Sequence, residues 1–337
     1  MEYAFLLWPH ANPRYLVSLK KLACQELHCM LKACGVPVQI SWKDFGGAPW
    51  LVVSCTSLSA SALRLISGHS SLYMGAAVEN GMLRPLDYKL PDYLPSDMAE
   101  VLKYKGKTNA SFTGLMLNCA LCASRFALGR EPLTVMDPMC GRGTTLFYAL
   151  SRGHNAVGIE SGGKDVQEAA SYIGKYLQLH RLKHRTDRGS MTLPGGQSSP
   201  YTAWELADTP AHYAAGDIRT VKLIHGDTLH CAQVQKPQTV HLMIADLPYG
   251  VQHAPRQGQR VDAILPLVKN ALPGWHKTLA PGGAIALSFN TYTLKKSELR
   301  KIVSDSGFSV LSEAPFDDFE HWVEQAISRD LLIAVKE

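Results

Sequence analysis

The chain has 337 residues, 46% of them hydrophobic and 19% charged, and a formal net charge of +5. That gives room for two domains, no apolar run reaches the ~18–20 residues of a membrane helix, and the modest charge permits nucleic-acid binding without demonstrating it. The start lacks a basic n-region, so no secretory signal is expected, and eight cysteines among apolar neighbours fit reduced thiols in a cytoplasmic protein.

The first stretch alternates in a regular way. Tyr3 to Trp8 reads as a strand and Tyr15 to Ala33 as a helix, stopped by Gly35. Val38–Trp42 and Trp50–Ser54 read as strands around the Gly46-Gly47 turn. Ser59–Ile66 is a second helix and Ser71–Val78 a final strand. The order β-α-β-β-α-β is that of a ferredoxin-like module, assigned to residues 1–95. Residues 84–110 carry three prolines, then Lys103, Lys105 and Lys107. They read as a linker whose lysines either track phosphates or form a solvated face, and 96–130 is assigned as linker and lead-in helix, the helix lying near Leu115–Phe126. Cys119 and Cys122, like Cys24, Cys29 and Cys34, sit in helical patterns without a second pair at zinc spacing, so no metal is expected.

A Rossmann-like domain is expected over 131–337. Leu133 to Asp137 is an apolar strand running into Pro138-Met139-Cys140-Gly141-Arg142-Gly143. The two glycines let the backbone turn sharply and approach a ligand, and the helix from Thr144 to about Arg152 aims its free N–H groups there. Thr144 and Thr145 are plausible caps. The turn lacks the third glycine of a dinucleotide fingerprint and the Lys of a phosphate loop. An acid at Asp137 would repel pyrophosphate and suits a ligand carrying cationic groups. The next strand, Ala156–Ile159, ends at Glu160, an acid placed to bond ribose hydroxyls. A helix follows near Lys164–Leu179. His180–Gly216 then reads as a long loop with a basic head, either a lid over the substrate face or a floppy insertion. Lys222–Gly226 is a third strand ending at Asp227, where an acid could bond an adenine amino group.

The fourth strand, Val240–Ala245, runs into Asp246-Leu247-Pro248-Tyr249-Gly250. An amine on a nucleobase is a poor nucleophile, because its lone pair is delocalised into the ring. Catalysis of a transfer onto such an amine needs acceptors for its N–H bonds and close alignment toward the electrophilic carbon. Asp246 and the carbonyls of Leu247 and Pro248 supply acceptors, and Tyr249 offers a face on which a flipped base can stack. The loop after this turn carries His253, Arg256 and Arg260, candidates for substrate contact. A helix over Val261–Thr278 follows, then a Pro-Gly-Gly turn at 281–283, a strand Ala284–Phe289 and a helix Lys295–Ser306. Strands Phe308–Glu313 and Asp330–Val335 would close a seven-stranded sheet whose last strand is antiparallel.

These two turns resemble class I S-adenosylmethionine-dependent methyltransferases of the amino-methylating, D-P-P-Y type. Within that group the chain looks like the THUMP-associated guanine-N2 RNA methyltransferases. The matching residues are Asp137 to Thr144 and Asp246 to Gly250, with a third patch from Tyr104 through Phe112. Leu247 stands where proline is commoner, and the region ahead of the catalytic domain is too short for the family's full RNA-binding module. The resemblance implies a two-domain α/β enzyme with S-adenosylmethionine as cofactor and RNA, most of all transfer RNA, as partner. It implies cofactor contacts from Asp137, Pro138, Gly141, Gly143, Thr144, Glu160, Asp227 and Asp246. Asp246, Pro248 and Tyr249 would carry the reaction, while Leu247, Gly250, His253, Arg256, Arg260, Lys105 and Lys107 would meet the substrate. The rival readings are methylation of adenine N6 or cytosine N4 in DNA, of a small-molecule amine, or nucleic-acid binding without turnover.

Overall fold

The structure is a computed structural model and describes residues 1–10, 13–101, 109–249 and 264–337. The chain begins with β1 (Glu2–Leu7), α1 (Pro13–Ala33), β2 (Gln39–Phe45), β3 (Ala48–Ser54), α2 (Ala60–Ser67), β4 (Leu72–Glu79) and β5 (Met82–Pro85). Its strands form one antiparallel sheet in the order β2-β3-β1-β4-β5. The first four have the connectivity expected of a ferredoxin-like module. β5 is an addition at the edge: Asn80 and Gly81 both adopt positive φ and reverse the chain into a hairpin. Its residues are largely exposed, so no alternation announced it.

On α1, Leu19, Leu22, Ala23, Leu27, Met30 and Leu31 recur at helical spacing and are buried. Glu26 lies in the same stripe, fully buried. Its carboxylate accepts from the Ser70 N–H at 2.8 Å and from Asn118 Nδ2 at 2.6 Å, which offsets the cost of burying the charge. Asn118 belongs to α3 (Ala110–Ala123), so this network ties the first sheet to the second, and one apolar cluster runs through both. The segment expected as a linker joins that cluster too. Tyr88, Leu94 and Met98 are buried in it, and the Tyr172 and Tyr176 hydroxyls donate to Met98 O and Asp97 Oδ1 at 2.7 and 2.8 Å.

The chain continues through β6 (Thr134–Asp137), α4 (Thr144–Ser151), β7 (Asn155–Glu160), α5 (Gly163–Leu179), β8 (His184–Thr192), β9 (Ser198–Leu206) and α6 (Pro210–Ala215). It ends with β10 (Arg219–His225), α7 (Cys231–Val234), β11 (Val240–Asp246), α8 (Ile264–Thr278), β12 (Leu279–Asn290), α9 (Lys296–Asp305), β13 (Ser309–Val310), β14 (His321–Glu324) and β15 (Ile327–Val335). The second sheet runs β13-β15-β12-β11-β6-β7-β10-β9-β8, with β14 beside β15. Without β8, β9 and β14 it is the expected seven-stranded sheet, parallel except for β15. Strand order reverses between β6 and β11, and in open α/β sheets ligands bind beyond the carboxyl ends at such a switch point.

Three expectations need correction. The presumed loop at 180–216 is largely a hairpin, β8 and β9, extending the sheet past β10. Leu206 pairs with both His184 and Arg219, at the amino-terminal end of β10, so the basic head sits opposite the carboxyl-end cleft and forms no lid over it. Pro281-Gly282-Gly283 lies within β12 as a bulge, where pairing jumps from Val240–Leu279 to Leu242–Ala284. The strand expected at 308–313 shortens to Ser309–Val310. Among the described residues no helix is long and apolar enough to cross a membrane, and no group of three or more His, Cys, Asp or Glu could hold a metal ion.

Candidate functional site

The first turn is held mainly through the backbone. Val135 and Met136 are fully buried and deliver Asp137 at the end of β6. Gly141 and Gly143 have φ of +51° and +89°, a region that favours glycine. A Cβ on Gly141 would meet nothing within 4 Å, so this side of the turn is open to a ligand, whereas one on Gly143 would crowd Phe147 at 3.0 Å. Gly143 is itself the N-cap of α4, with no side-chain cap bond. Thr144 and Thr145 are the first helical residues and not caps, which corrects the sequence reading; Thr145 bonds Asp137 instead.

Four strands adjacent in the sheet, β10, β7, β6 and β11, lead at their carboxyl ends to Asp227, Glu160, Asp137 and Asp246. Asp137 is buried and accepts from the Met139 N–H at 3.0 Å. Burial pushes its carboxyl up to about 7, the charges of Asp246 and Glu160 push the same way, and the bonds from Thr145 and Met139 oppose them. Glu160 accepts from the Gly141 N–H at 2.9 Å and the Gly162 N–H at 2.6 Å, so it braces the glycine turn. Asp227 is exposed and accepts from the Leu229 N–H at 2.9 Å. Pro138 is buried.

Side chains dominate the second turn. Leu247 is buried and its N–H donates to Ser288 O at 2.9 Å, Pro248 is exposed, and Tyr249 is partly buried. The Tyr249 hydroxyl donates to Asp246 Oδ1 and lies 3.2 Å from Ser288 Oγ. Burial, and then the Asp246 charge, hold the phenol well above its ordinary range. Sequence reasoning left Asp246 open to an incoming amine; here one of its oxygens is already engaged by the neighbouring tyrosine.

Ser288 and Arg329 were missed. Ser288, at the register position of Asp246, is fully buried, and a lone hydroxyl in the apolar run Ala284–Phe289 was the available signal. Arg329, near the start of β15, sets its guanidinium 5.3 Å from the Tyr249 ring centre and 4.5 Å from that of Phe112. Nothing in the local sequence linked it to a turn eighty residues earlier. Lys105, Lys107, Gly250, His253, Arg256 and Arg260 lie outside the described residues.

No known family model and no curated protein matches this sequence. Among solved structures it is similar to TrmN from Thermus thermophilus, 16% identical, covering 99% of this chain and 81% of that one at a TM-score of 0.39. It is similar to magnesium protoporphyrin IX methyltransferase with bound SAM from Synechocystis PCC 6803, 17% identical, covering 72% and 90% at 0.38. An rRNA methylase from Streptococcus thermophilus is 9% identical, covering 70% and 98% at 0.36. At such scores the strand order, and not the overlap, defines the architecture: a Rossmann-like sheet of the methyltransferase type, preceded by an antiparallel α+β sheet.

Proposed function

We propose that this chain is an S-adenosylmethionine-dependent N-methyltransferase that modifies an exocyclic amine of RNA, with guanine N2 of transfer RNA as its target. The observation that carries the reading is the pairing of β6 with β11, which brings Asp137 and Asp246 to neighbouring carboxyl ends at the switch point. Residues 1–95 are read as the accessory module and 131–337 as the catalytic domain.

The residues present fit the cofactor. The open side of Gly141 lets a ligand approach the backbone, and the carboxylates of Asp227, Glu160 and Asp137 on three adjacent strands suit a ligand with cationic amine and sulfonium groups. Asp137, Gly141, Gly143, Glu160 and Asp227 would hold it, with Pro138 and Thr144 shaping the turn. When bound, the cofactor supplies an electrophilic methyl group. Asp246 then orients the target amine by accepting its N–H bonds, helped by the carbonyls of Leu247 and Pro248, and afterwards takes up the proton the methylated nitrogen must lose. Tyr249 yields its hold on Asp246 to the amine and presents a ring face to the base.

The resemblance of the two motifs and the ferredoxin-like module both favour RNA over DNA. Tritium transfer from labelled S-adenosylmethionine to unmodified total transfer RNA, beside genomic DNA, tests this. Label in methylguanosine of the RNA is expected; label confined to methyladenine or methylcytosine of the DNA would overturn the substrate assignment.

A further inference from the structure

Arg329 stands out among the residues that the reaction scheme leaves unused. It is 8% exposed and sits on β15, held opposite Asn290 of β12 on one side and His321 of β14 on the other. Its guanidinium lies over the Phe112 ring at 4.5 Å and over the Tyr249 ring at 5.3 Å. Phe112 is buried in turn, with the His321 ring at 5.3 Å. The cation is therefore fixed by two strands and backed by an aromatic wall, while Tyr249 projects from a turn.

We propose that Arg329 is a positioning residue for Tyr249: it covers one face of the ring, so that a planar substrate can stack only on the other. This rests on the reading of Tyr249 as the base-stacking residue. The physical basis is the attraction between a guanidinium and a ring face, which is stronger when both are shielded from water. Two further contacts fix the ring's plane, because its hydroxyl donates to Asp246 and lies against Ser288. When the target amine takes over Asp246, that hydroxyl anchor is released. Arg329 is then the contact that keeps the ring from turning away while the base is seated. A planar guanidinium suits this role better than a point charge, because it can stack flat on the ring.

The test uses Arg329→Met and Arg329→Lys in the full chain, each also combined with Tyr249→Leu. With tritiated S-adenosylmethionine and unmodified total transfer RNA, Arg329→Met should raise KM for RNA about tenfold, and Arg329→Lys about threefold, since a lysine still places charge over the ring. In the Tyr249→Leu background Arg329→Met should cost nothing further, as expected when two residues act as a unit. An equal cost in both backgrounds would overturn the proposal, since Arg329 would then act on the substrate or the fold directly.

A second readout needs no substrate. In protein carrying carbon-13-labelled tyrosine rings, with the Tyr249 resonances assigned by their loss in Tyr249→Leu, ring flipping at Tyr249 should be slow in the wild type and fast in Arg329→Met. Unchanged flipping would overturn the proposal. Slow flipping released by Arg329→Met, with no label entering RNA, would instead leave the Arg329 role standing and refute the substrate reading.

Discussion

The two turns at the switch point are built in opposite ways. At the first, Glu160 accepts two backbone N–H groups and Gly141 and Gly143 adopt left-handed conformations, so the cradle is shaped by main chain. At the second, Asp246, Tyr249 and Ser288 hold one another through side chains, with Arg329 over the ring. A backbone-built cradle suits a ligand that is the same at every turnover. A side-chain cluster can exchange partners, as the proposed entry of a flipped base would require. On the proposed reading the first turn holds the donor and the second aims the acceptor, and substitutions should separate the two.

The largest effect is expected at Asp246. Asp246→Ala should lower methyl transfer by about 10³-fold or more, the scale of losing a group that acts on the reacting atoms, as measured by tritium incorporation into RNA. Asp137→Asn should act on the donor side, weakening cofactor binding about tenfold by calorimetry through loss of a buried carboxylate facing a cation.

Asp137 also gives the two turns different pH behaviour. Its carboxyl is raised to about 7, so below that pH it is largely protonated and neutral. Wild-type affinity for a cationic cofactor should therefore tighten as pH rises through 7, a trend that Asp137→Asn should abolish. The sign for folding is reversed. An aspartate near 3.9 when unfolded and near 7 when folded gives stability that is lost as pH rises between those values. The ligand-free wild type should thus lose stability relative to Asp137→Asn between about pH 4 and pH 7, as followed by urea unfolding.

Away from both turns, Glu26→Ala would leave the Asn118 and Ser70 donors without their acceptor, and urea unfolding should show a loss of about 2–3 kcal/mol. Residual folded protein should keep the ratio of methyl transfer to cofactor binding, because neither turn is touched. The smallest effect belongs to Ser288→Ala, which removes one weak partner of the Tyr249 hydroxyl and should cost about threefold in methyl transfer.

How much of this was legible in the sequence follows from where each residue is buried. β6, β7 and β11 were readable as largely apolar runs ending in an acid, because strands covered on both faces leave little room for polar residues. The hairpin of β8 and β9 was not. From His184 to Thr192 no residue of β8 is buried, so the alternation that marks a half-buried strand is missing. Tertiary proximity was equally hidden: Ser288 meets Tyr249 through the register of β11 with β12, and Arg329 through β15. Asp246 itself was legible, but its bond to Tyr249 depends on the path of a turn that local pattern does not specify.

The most direct measurement is calorimetric titration of S-adenosylmethionine into Asp246→Ala beside the wild type. Affinity within about threefold of wild type, alongside lost methyl transfer, is the result expected if Asp246 serves the acceptor. A loss of cofactor binding that matches the loss of methyl transfer would contradict the division between the two turns.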